Sequence, residues 1–61
     1  MKLNRSNINN LMLHLENETT ISAYILFDDI DFNIQLKNLI DNQSHYDQAE
    51  KLLVEWCNNN Y

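Results

Sequence analysis

The sequence contains neither glycine nor proline, has one cysteine, and carries only four Lys and Arg residues in 61. Each shortage removes a class of chemistry. Without glycine there is no Gly-x-Gly-x-x-Gly or Walker-type loop to bring backbone N–H groups against a phosphate, and no calcium loop, which needs glycine for its sharp turn. The single Cys57 cannot close an intramolecular disulfide, and a lone thiol agrees with a reducing cytosol. Lys2, Arg5, Lys37 and Lys51 form no stripe of the kind that neutralises a phosphate backbone, so binding to nucleic acid is disfavoured. The longest apolar run, Ala23-Tyr24-Ile25-Leu26-Phe27, is far short of the ~20 residues that span a bilayer. Met1 to Arg5 has the charge of a signal n-region, but polar Asn7, Asn9 and Asn10 stand where the apolar segment should follow. The expected location is cytoplasmic, in a bacterium or a phage-infected host cell, and the sequons at Asn17 and Asn42 are read as chance matches.

What the chain does contain is acid. There are nine Asp and Glu and a net charge of -5, and Glu16, Glu18, Asp28, Asp29 and Asp31 follow one another with no Lys or Arg between them. Such a segment serves solubility or complements a basic partner surface. A single domain, residues 1-61, is expected. At this size a fold buries only about 60% of the surface its unfolded chain exposes, and small chains commonly gain stability from disulfides, a metal or a partner. With a disulfide ruled out, self-association or a hetero-complex is the favoured remedy.

Periodicity predicts a helix over about 6-16, because Ile8, Leu11, Met12 and Leu15 recur at i, i+3, i+4 and i+7; Asn4 or Ser6 can cap its start. A second helix is predicted over about 45-57 from the stripe Ala49, Leu52, Leu53 and Trp56, with Ser44-His45-Tyr46-Asp47 as a variant capping box and Trp56 buried. Between them, Ile30-Asp31-Phe32-Asn33-Ile34-Gln35-Leu36 alternates apolar and polar without a break, the pattern of a half-buried strand. Pairing it with the strand formers Ile21 to Phe27 across Asp28-Asp29 sets every apolar residue of the second strand against an apolar residue of the first. The expected fold is therefore α+β, helix–β-hairpin–helix (αββα), with strands at about 20-27 and 30-36 and both helices on one face of the hairpin. The alternative is an all-α three- or four-helix bundle, in which Asp28 or Asp29 caps a helix carrying Phe32, Leu36, Leu39 and Ile40 as its stripe. Lys37 to Gln43 is ambiguous on either reading, and Asn42 is a candidate left-handed turn residue in a chain without glycine.

No catalytic residue, metal site, cofactor or small-molecule substrate is expected. Cys57 lies near a helix C-terminus, where the partial negative charge opposes thiolate formation. His14, Glu16 and Glu18 are spaced so that neighbours point apart on a helix, which weakens a zinc reading. Asp28, Asp29 and Asp31 lack the spaced oxygens of a calcium loop and read as a solvated turn. The apolar surplus is the better clue. On the hairpin face away from the helices, Tyr24 and Leu26 would be exposed within a rim of Asp28, Asp29, Asp31 and Asn33, the composition of a small contact patch. These six residues are the candidate partner-binding site.

The expected function is that of a small non-enzymatic protein that binds a larger protein and inhibits or modulates it. By analogy alone, such chains suit phage or plasmid accessory factors, of anti-defence or antitoxin type. Two alternatives remain: a homodimeric nucleic-acid-associated transcriptional regulator, with Lys2 and Arg5 near phosphate, and a purely structural homo-oligomer.

Overall fold

The computed structural model of the chain covers residues 1-61 and consists of four helices, α1 (Ile8–Thr19), α2 (Ala23–Asp28), α3 (Ile30–Asp41) and α4 (Tyr46–Asn60). No sheet is present, which overturns the αββα hairpin and agrees with the all-α alternative. Both segments read as strands, 20-27 and 30-36, are helical along most of their length.

Two caps explain the difference. Ser22 Oγ accepts from the N–H of Tyr24 at 3.2 Å and starts α2. Asp29 Oδ1 accepts from the N–H of Phe32 at 3.0 Å and starts α3. Asp28 and Asp29 therefore make no hairpin turn: Asp28 ends α2, and Asp29, with φ -84° and ψ 112°, is the only residue between the two helices. It serves as C-cap of one and N-cap of the other. The Asn33 carboxamide reinforces the joint by donating to the carbonyls of Phe27 and Asp29, both at 2.8 Å. Once α3 is capped, the alternating residues divide by a helical period. Phe32 and Leu36, four apart, are buried, while Ile30 and Ile34 face solvent.

Helix α1 buries Leu11, Met12 and Leu15, with Ile8 partly buried, as its stripe predicts. It runs further than expected, to Thr19, and ends where Thr20 adopts φ 60° and its N–H donates to the Glu16 carbonyl at 2.9 Å. The N-cap is Asn7, not Asn4 or Ser6, and it makes no side-chain cap bond. Its buried carboxamide instead accepts from the N–H of Asn4 at 2.9 Å and donates to the Lys2 carbonyl at 2.9 Å, so both of its ends are satisfied.

Helix α4 forms where the periodicity predicts but runs on to Asn60, and its buried face is Tyr46, Ala49, Leu53 and Cys57, with Leu52 of the expected stripe exposed; it also begins differently. His45 is the N-cap, with no side-chain bond, and the proposed capping box does not form. The first residues of the chain supply the partner: the Met1 carbonyl accepts from the N–H of Tyr46 at 2.8 Å, the Leu3 N–H donates to the Ser44 carbonyl at 2.8 Å, and Lys2 and His45 form an antiparallel bridge. This tie places Leu3 in the core. Between α3 and α4 the left-handed position falls to Gln43, φ 55°, and not to Asn42, φ -83°.

The core joins Leu3, Leu11, Met12, Leu15, Leu26, Phe32, Leu36, Tyr46, Ala49, Leu53 and Cys57. Helix α1 packs chiefly on α4, α2 bridges α1 and α3, and α3 closes against α4. Trp56 is half-buried, not buried as expected, and meets Phe32 edge to face with centroids 5.7 Å apart. No helix is long and apolar enough to cross a membrane.

Candidate functional site

The site is a consequence of α2 being a helix of only six residues. It has room to bury one large side chain completely, and that is Leu26. Tyr24 and Phe27, three apart, share a different face and remain 84% and 45% exposed. Across from them, α1 contributes Leu13, which lies off the buried stripe and is 57% exposed. These three residues, with Asn9, Met12, Glu16 and Ala23, line a groove of about 400 Å³ between α1 and α2. Met12 is buried and forms apolar floor.

Glu16 fixes the relation of the two walls, because its Oε2 accepts from the N–H of Ala23 at 2.8 Å and holds the first turn of α2 against α1. The same carboxylate makes the groove negative. Asp28 stands four residues after Tyr24, one turn along the same face, and is exposed. No cationic side chain lines the groove, and no Lys or Arg occurs anywhere from Ser6 to Leu36.

The six residues singled out in the sequence are distributed unevenly about this groove. Tyr24 lines it and Asp28 stands beside it. Leu26 was expected to be exposed and is instead fully buried, since the helix turns inward what a strand would have turned outward. Asp29 and Asn33 are occupied in holding the α2–α3 joint. Asp29 also accepts a hydrogen bond from the Tyr61 hydroxyl at 2.5 Å. That bond, followed by the bond from Phe32 N–H, holds the Asp29 carboxyl below its usual value, and it pushes the Tyr61 phenol up to about 12. Asp31 is exposed in the first turn of α3. The residues missed were Leu13 and Phe27. Leu13 carried a legible signal, an apolar residue on the polar side of a helix whose core stripe was already complete.

Elsewhere the titratable groups are arranged for packing. His14 pairs with Glu50, Nδ1 to Oε2 at 3.2 Å, and meets the Tyr46 ring edge to face at 6.1 Å; it does not act with Glu16 or Glu18. Cys57 is buried, and burial pushes its thiol up, away from thiolate formation. The Tyr46 hydroxyl is buried without a hydrogen-bond partner, and burial also raises its ionisation range. No three His, Cys, Asp or Glu side chains are grouped so as to hold a metal ion. Comparison with known proteins adds no relative: no protein family, curated protein or solved structure matches the chain.

Proposed function

We propose that the chain is a small non-enzymatic cytoplasmic protein that binds a larger protein and inhibits or modulates it, with the α1–α2 groove as its contact. The observation that carries this reading is the joint exposure of Leu13, Tyr24 and Phe27 on two helices around one apolar hollow. Scattered surface hydrophobes are ordinary, but apolar side chains gathered in a concavity with a polar margin have the make-up of an interaction site. A tyrosine is also among the residues most able to anchor an interface, since its ring buries much area and its hydroxyl keeps a polar contact. The association with phage or plasmid accessory factors rests on analogy.

Capture by the tagged chain from a nuclease-treated lysate of its source cells tests the proposal when wild type is compared with a Leu13→Ser/Tyr24→Ser variant. A stoichiometric protein retained by wild type and lost by a variant of unchanged helicity supports it. Equal capture by both would remove the groove from the interface, and a homo-oligomer without any partner would move the function to a structural subunit.

A further inference from the structure

Resting on the reading of the groove as a protein contact, we infer that its occupant is a cationic amphipathic helix of the partner, with apolar anchors one turn apart and Lys or Arg beside them. The shape argues for a helix. Both walls of the groove are helices, whose backbone groups are spent on their own hydrogen bonds, so an extended peptide finds no sheet edge to pair with. The six residues of α2 give a wall roughly 9 Å long, room for two anchors at i and i+3 or i+4. Leu13, Tyr24 and Phe27 supply the apolar contact.

The charge selects the sign. Glu16 lines the groove with one oxygen engaged by the Ala23 N–H, and Asp28 stands a turn beyond Tyr24. There is no Lys or Arg from Ser6 to Leu36, and the one histidine of α1, His14, is paired with Glu50 outside the groove lining, so neither carboxylate has a lysine or arginine beside it in α1 or α2. An anionic helix would meet repulsion on both sides, and a cationic one would find partners. The same argument disfavours a second copy of this chain in the groove, because a two-fold contact sets the same patch against itself and would bring Glu16 and Asp28 toward their own counterparts on a molecule of net charge -5.

The test titrates the full-length, isotope-labelled chain with three synthetic peptides of equal length and follows amide shifts by NMR. One is a Leu/Lys amphipathic helix, one has the same apolar face with Glu for Lys, and one is the Leu/Lys composition scrambled to abolish the face. Expected is saturable binding of the first, with the largest shifts at Leu13, Tyr24 and Phe27, and at least about tenfold weaker binding of the other two. A Glu16→Gln/Asp28→Asn variant, which keeps an acceptor for Ala23, should bind the Leu/Lys peptide roughly threefold to tenfold more weakly. Equal binding of both charge types at the groove would overturn the inference and leave the groove as a contact. Shifts elsewhere, or no binding, would also overturn it, while partner capture judges the groove separately. Shifts at the groove that grow with protein concentration alone, with a doubled mass in light scattering, would make the occupant a second copy.

Discussion

At the residue scale, α2 sets two neighbouring apolar side chains in opposite environments. Leu26 has no exposed surface and Tyr24 is almost wholly exposed. Replacing Leu26 by Ala removes buried methyl groups and leaves a cavity, an expected loss of about 2–4 kcal/mol in urea denaturation. Tyr24→Ser should stay within about 0.5 kcal/mol of wild type, because it touches no core contact. Reversal of that order would mean that α2 packs by its other face. Thr20 offers a gain. A β-branched residue at φ 60° pays roughly 1–2 kcal/mol for its left-handed backbone, whereas glycine there gives back only about 0.5–1 kcal/mol in unfolded-chain entropy. Thr20→Gly is expected to stabilise the chain by about 0.5–1 kcal/mol, read as a higher melting temperature, and a loss would show that the Thr20 side chain contributes more than its backbone costs.

At the scale of elements, the latch between α4 and the α2–α3 joint is pH-dependent in two directions. The Tyr61 phenol is raised to about 12 in the fold, so its contribution is complete below the unfolded value near 10 and disappears as pH climbs through 12. The Asp29 carboxyl is lowered from 3.8; its contribution is present above that value and is lost as pH falls through the depressed one. Tyr61→Phe removes the shared bond, so stability profiles of wild type and variant should run parallel between about pH 5 and 9 and converge at both extremes. Profiles parallel across the alkaline range would mean that the bond contributes nothing.

The helices α1 and α4 were legible because each bears a stripe with one possible period. The middle was not. In Ile30-Phe32-Ile34-Leu36 a period of two fits all four residues, while the helix uses only Phe32 and Leu36 and continues the stripe through Leu39 and Ile40, which are partly buried on the core. Deciding between the two needed the Asp29 cap, and aspartate serves a turn as readily as a helix start. The groove was obscured for the same reason, since Phe27 faces inward on a strand and outward on this helix. Tyr24 was recoverable because it is exposed under both readings.

At the scale of the whole molecule, a chain of this size leaves Leu13, Tyr24, Ile25, Phe27, Ile30 and Ile34 substantially exposed around a core drawn from all four helices. If the acidic groove is reserved for an outside partner, the melting temperature should not move over about a hundredfold range of protein concentration, since only self-association couples stability to concentration. A rising melting temperature would favour the homo-oligomer. The one-residue joint at Asp29 carries a different consequence for how this protein can change. Its neighbouring connections, 20-22 and 42-45, have slack to absorb an added or deleted residue. At Asp29 there is none: an extra helical residue would turn α3 by about 100° and swing Phe32 and Leu36 off the core. Substitutions can accumulate along this chain, but its length between Leu26 and Phe32 is a frozen quantity, a reading frame of rotation that every descendant has to keep.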